Sequence, residues 1–185
     1  VSYTHIGIFN HLLKEMGKSE KYFNLALSKN PYSSLVISHY ARHKYLIGDV
    51  AESLKLVKRA VSIEPAGLQP NQYLTKVYYY NREYMHAERQ AHITMSLLPF
   101  DWLFQMDLAY IYVMQKRYLE AIEIYEKYSG EMWTGFHGYI YGRQNRRDLA
   151  SELLKQFIQE QEFYDAALIC TALGRKSQAV QLLIK

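Results

Sequence analysis

The chain has 185 residues, enough for one domain or one stack of small repeats, and 49% hydrophobic against 22% charged residues marks a folded protein, not a disordered one. A net charge of +4 is too small and dispersed to argue for nucleic acid, and no apolar run is long enough to span a membrane. The single cysteine excludes an internal disulfide, tyrosine is over-represented at 18 residues, and proline is scarce at four. The first residues lack the cationic start and cleavage site of a signal peptide, and the chain opens on Val1 and not on Met, so it reads as a piece of a longer protein.

Three of the four prolines, Pro31, Pro65 and Pro99, stand 34 residues apart, a period of stacked helix–turn–helix units. With each proline set at repeat position 32, the first repeat (about 1–34) carries Ile6, Gly7, Ser19, Phe23 and Ala26 at positions 7, 8, 20, 24 and 27. The second (35–68) carries Tyr40, Ala41, Ser53, Val57 and Ala60 there, with Gly48-Asp49 as the turn between its helices. The third (69–101) has Leu74, Thr75, Ala87, Ala91 and Thr94. The fourth (102–134) has Leu108, Ala109, Ala121, Tyr125 and Tyr128, and Trp133 replaces the closing proline. Past Trp133 the frame shifts by about five residues: a fifth repeat (135–160) shows Gly138, Tyr141, Ala150 and Phe157, and a sixth (161–185) shows Ala167, Cys170, Gly174 and Ala179.

Packing explains the alternation. Small residues at positions 8 and 20 let the two helices of a repeat, A and B, approach closely, and bulky residues at 7, 11 and 24 fill the seam between repeats. Gly48 tolerates a left-handed backbone, Asp49 accepts from exposed helix-start N–H groups, and Pro65 ends helix B because it lacks an N–H.

Residues ARHKYLIGDVAESLKLVKRAVSIEP (41–65) and MDLAYIYVMQKRYLEAIEIYEKY (106–128) resemble tetratricopeptide (TPR) repeats, and the resemblance covers essentially the whole chain. It implies an all-α fold: a right-handed α-α superhelix of about six helical hairpins, the last incomplete, forming a single domain over 1–185. Residues 137–185 also resemble, through a GYxYxxxGRRDxA…YDxALxxxxLGxKxxA pattern, the TPR regions attached to bacterial winged-helix transcription regulators. In this family the A helices line a concave groove through recurring positions, which here implies Thr4, Ile8 and His11 in the first repeat, then Ser38, Arg42 and Tyr45. The third repeat adds Gln72, Lys76, Tyr79 and Tyr80, the fourth Met106, Tyr110, Val113 and Met114, and the fifth Tyr139 and Arg143. The expected groove is therefore tyrosine-rich and mildly basic, suited to a protein or peptide segment with aromatic or aliphatic anchors and some acidic character.

The carboxylate clamp of chaperone-binding TPR proteins is absent: where it needs Lys or Arg, the fourth repeat has Leu103 and Asp107. His39 and His43 share a helix face but have no third ligand near them in sequence, so no metal and no cofactor are expected. Cys170 falls at a core position, and the NRR run at 145–147 reads as solvated charge in a turn, not as a nucleic-acid patch. No glycine-rich phosphate loop, nucleophile elbow or isolated carboxylate pair appears, so no catalytic residues are expected. The reading is a non-catalytic protein–protein interaction module, the sensory part of a larger bacterial regulator. The alternatives are an assembly factor or chaperone for secretion or pilus proteins, or a structural scaffold subunit. The expected compartment is the cytoplasm, with the periplasm as the alternative. A truncated, apolar last repeat allows self-association.

Overall fold

The structure, a computed structural model, describes residues 2–99, 102–128 and 135–184, so the segment around Trp133 lies outside the described residues. Among the described residues twelve helices form, separated by turn residues: α1 (Tyr3–Leu12), α2 (Met16–Lys29), α3 (Ser34–Leu46), α4 (Val50–Ile63), α5 (Leu68–Tyr80) and α6 (Tyr84–Leu97). They continue as α7 (Trp102–Met114), α8 (Tyr118–Tyr128), α9 (Gly135–Arg143), α10 (Arg147–Gln159), α11 (Phe163–Ala172) and α12 (Lys176–Leu183). No strand occurs among the described residues. The chain forms two compact units, Val1–Ile111 and Tyr112–Lys185, with the boundary inside α7.

In the first unit, α1 with α2, α3 with α4 and α5 with α6 pack as antiparallel hairpins. Helix α2 also lies on α3 and α4 on α5, and the A helices α1, α3 and α5 touch one another in sequence. The seam they enclose is a core of Phe23, Ile37, Tyr40, Val57, Leu74 and Val77, with Ala41 and Ala60 at the close crossings. The second unit repeats the arrangement: α9 pairs with α10 and α11 with α12, while α10 and α9 both lie on α11.

Two serines show why position 20 stays small. Ser53 donates its hydroxyl to the Ala41 carbonyl at 2.7 Å, and Ser19 donates to the Gly7 carbonyl at 2.8 Å, the same bond one repeat earlier. Each hydroxyl is fully buried and satisfied across the A–B contact. The A–B turns are also alike. One residue in each is left-handed: Lys14, Gly48, Arg82 and Lys116, then Asn145 and Gly174. The residue after it returns its N–H to a carbonyl of helix A, as in Asp49 to Lys44 at 2.9 Å and Arg146 to Tyr141 at 2.8 Å.

Helix starts follow local chemistry. Asp49 accepts from the Glu52 N–H and Ser33 from the Val36 N–H, both at 3.3 Å. Pro70 stands in the first turn of α5, where its missing N–H is no loss. The start of α9 is satisfied from a distance: Asp165 on α11 accepts the Gly135 N–H at 2.7 Å.

Candidate functional site

Helices α3, α5 and α7 run side by side in the first unit's A layer, and residues one or two turns apart on them meet in a pocket of about 180 Å³. Its walls are Tyr45, Thr75, Lys76, Tyr79, Tyr80, Asp107, Tyr110 and Ile111. Tyr45 and Tyr80 stack with ring centroids 5.1 Å apart, and Tyr79 meets Tyr80 edge-on at 5.5 Å. Burial pushes the Tyr45 phenol above its ordinary range, with Arg42 pulling it the other way. Lys76 faces Asp107 with 3.8 Å between Nζ and a carboxylate oxygen. The pocket thus offers ring faces, phenolic hydroxyls and one cation whose charge is shared with an acid.

Five residues proposed from the sequence, Tyr45, Lys76, Tyr79, Tyr80 and Tyr110, come together here. Arg42 and Gln72 are half-buried on the same helices, outside the pocket wall. Four others require correction, Thr4 and Val113 being buried at 6% and 5% exposure and Ser38 and Met106 likewise buried. Ser38 is 0% exposed and Met106 is 9% exposed, so neither offers a surface to a partner. Each lies three residues before a fully buried alanine, Ala41 or Ala109, and therefore on the helix face turned to the core. Met114, Tyr139 and Arg143 belong to the second compact unit. There Met114 is exposed, Tyr139 is half-buried, and Arg143 donates from Nε to the Tyr118 hydroxyl at 3.3 Å.

Thr75, Asp107 and Ile111 line the pocket although none stands at an expected groove position; of these Asp107 is the charged one. Its signal was the failed clamp: an acid stands where a chaperone-binding repeat carries a base.

His39 and His43 part company in space. His39 takes a hydrogen bond with the Gln69 amide at 3.2 Å and meets the Tyr73 ring edge-on. His43 is 2% exposed, its Nδ1 2.8 Å from His11 Nδ1 and 3.1 Å from Ser19 Oγ. Because Ser19 already donates to Gly7, its oxygen accepts from His43, which makes the Nδ1–H tautomer the one that fits. Burial first, then the charge of His11, lowers the His43 pKa to about 4, so the ring is neutral at physiological pH. Among the described residues no three metal-ligating side chains come together.

Fold and site together define a helical-hairpin repeat protein with a tetratricopeptide-like fold and an aromatic pocket on the A helices of its first unit. Among solved structures the chain is similar to Cut9 in the APC/C hetero-tetramer Cut9-Hcn1, at TM-score 0.77 and 14% identity over 98% of this chain and 38% of that one. It is similar to PilF of Pseudomonas aeruginosa at TM-score 0.70 and 14% identity, over 85% of this chain and 74% of that one. It is also similar to MamA at TM-score 0.58 and 14% identity, over 98% of this chain and 86% of that one. No family model and no curated protein matches the chain.

Proposed function

We propose that the protein is a non-catalytic interaction module that holds a segment of a partner protein on the A helices of its first compact unit. One aromatic or aliphatic side chain of that segment enters the tyrosine pocket. The observation that carries this reading is the convergence of Tyr45, Tyr79, Tyr80 and Tyr110 on a volume of about 180 Å³. Such a hollow fits a single side-chain anchor, and tyrosine supplies contact area at low entropic cost together with a hydroxyl. Arg42 beside the pocket favours an acidic residue flanking the anchor; Asp107 limits what Lys76 adds to that preference. Among the described residues no helix is long and apolar enough to cross a membrane.

The resemblance of residues 137–185 to regulator-linked repeats supports a place within a larger cytoplasmic regulator. The likeness to PilF supports a second reading, an assembly factor for pilus or secretion proteins.

A random peptide array followed by calorimetric titration of its best binder tests the site. Replacing Tyr79 and Tyr110 together by Ala is expected to weaken that binder by about 30- to 100-fold, the scale of two hot-spot truncations, without loss of helicity. Equal affinity in the double variant would place the binding surface elsewhere.

A further inference from the structure

The turns between helices A and B share one backbone, but the charge they carry reverses between the two compact units. The residue after the left-handed one is Glu15, Asp49 or Glu83 in the first unit, and Arg117, Arg146 or Arg175 in the second. All six return their N–H to helix A at 2.8–2.9 Å, so only the side chain differs. The acids act locally. Asp49 caps α4, and each acid lies against a nitrogen: Lys18 at 2.9 Å from Glu15, Lys44 at 3.8 Å from Asp49 and His86 at 3.3 Å from Glu83. Arginine does not cap. Arg146 and Arg175 make no side-chain bond to the helices they precede, and a cation beside the exposed N–H groups of a helix start is unfavourable. One local rule is broken at three turns running, which marks a surface kept for something other than stability.

More cations join the row. Of the ten Lys and Arg residues in 112–185, seven stand at or beside these turns: the three arginines with Lys116, Arg143, Arg147 and Lys176. Of the nine acids in the same stretch, only Glu120 and Asp148 lie within three residues of them. Six of the seven cations are exposed, and Arg117 is half-buried. At the opposite end of the hairpins, Glu160 and Glu162 flank the turn from α10 to α11.

The fold also orders these groups. Arg117 lies over the Tyr112 ring at 4.2 Å and Arg146 over the Tyr141 ring at 4.6 Å, each ring buried and five residues earlier. The Arg143–Tyr118 bond ties the turn of the fifth repeat to that of the fourth, and Arg175 donates from Nη2 to Ser151 of α10 at 3.5 Å. The fourth and fifth turns share an open hollow of about 600 Å³, where Lys116, Arg146 and the 71% exposed Leu119 meet. The NRR run, solvated charge when read alone, therefore stands in the middle of an ordered cationic row.

We infer that this edge of the second unit is a further binding surface, made wholly of residues outside the tyrosine pocket, for an acidic segment of a partner protein. Guanidinium groups held on ring faces present their forks to carboxylates, and Leu119 gives an apolar side chain a place beside them. Nucleic acid fits less well. Glu120 and Asp148 interrupt the row, and Tyr112 and Tyr141 lie beneath guanidinium groups, where no base can stack.

Fluorescence anisotropy with a short labelled peptide of Glu and Gly, which carries no anchor for the tyrosine pocket, tests this. The unaltered chain should bind the peptide, and added salt should weaken the complex. Arg146→Glu with Arg175→Glu should bind at least about tenfold more weakly. The same double variant should keep or raise its urea midpoint, since it restores the acid that the first unit has at these turns. Lys14→Glu with Arg82→Glu makes the same change of net charge at first-unit turns and should bind like the unaltered chain. Tyr79→Ala with Tyr110→Ala should also leave this binding unchanged, which separates it from the pocket. Four outcomes would overturn the proposal: no binding by the unaltered chain at low salt, equal losses in the two charge-reversed variants, loss in the tyrosine variant, or tighter binding of an oligothymidylate of equal charge.

Discussion

Of seven described residues in the left-handed region, six set the turns between helices A and B, and only Gly48 and Gly174 among them are glycines. Lys14, Gly48, Arg82 and Lys116 follow each other every 34 residues, and Asn145 and Gly174 then follow every 29, which dates the change of period to the fourth repeat. The backbone demand is the same at every turn, so the side chain is what varies. Arg82, at φ 61°, carries a Cβ that the conformation disfavours by roughly 1–2 kcal/mol, offset in part by the entropy a glycine loses on folding. Arg82→Gly is therefore expected to stabilise the protein by up to about 1 kcal/mol, read as a higher urea midpoint at unchanged slope. A lower midpoint would mean that the arginine makes a compensating contact. Gly48 at the same place was legible from sequence as a turn residue; Arg82 and Lys116 were not, since neither residue type announces a positive φ.

At the scale of the element, the pairing of helices was legible and the means of closest approach was only partly so. The prolines and the small residues at positions 8 and 20 fixed where each hairpin begins and where its helices cross, and Ser19, Ser53, Ala87, Ala121 and Ala150 are all 0% exposed. What recurrence could not disclose is which residue of a neighbouring helix arrives at a given place. Asp165 reaching back to the start of α9 is such a case, and Asp107 in the tyrosine pocket is another. The approach of α9 to α11 rests on glycines. A Cβ on Gly135 would lie 2.6 Å from the Asp165 Cα, a backbone atom that cannot turn aside. A Cβ on Gly138 would lie 2.4 Å from the Cδ1 and 2.6 Å from the Cγ1 of the fully buried Ile169, side-chain atoms that can give way more readily than backbone. Gly135→Ala should accordingly destabilise by about 1–3 kcal/mol, and Gly138→Ala by clearly less, in parallel thermal melts. Equal losses would show that α9 can slide as a body and that the backbone contact does not limit it.

For the molecule as a whole, the composition that makes the A helices sticky also makes stability depend on pH. His11, His39 and His43 all have pKa values below the ordinary histidine value, burial being the first cause in each. His43 carries the largest consequence because its pKa falls to about 4. An unfolded chain takes up a proton on this ring as pH drops through about 6.5, while the folded chain does not until about 4. Stability from this group is thus complete above the unfolded value and is lost between the two, by up to about 3 kcal/mol if the shift is fully expressed. Glu20, lowered chiefly by hydrogen bonds from Lys44 and Tyr40, adds a further loss at more acid pH, so the effect of His43 has to be isolated. Replacing it by Val, the residue at the same repeat position in α5, removes the titration and keeps an apolar filling. Urea unfolding near pH 7 and near pH 4.5 should then show a markedly smaller drop for His43→Val than for the unaltered chain. Parallel drops in the two proteins would mean that the buried ring accepts a proton in place, through His11 or Ser19, and that the neutral tautomer is not what holds α1, α2 and α3 together.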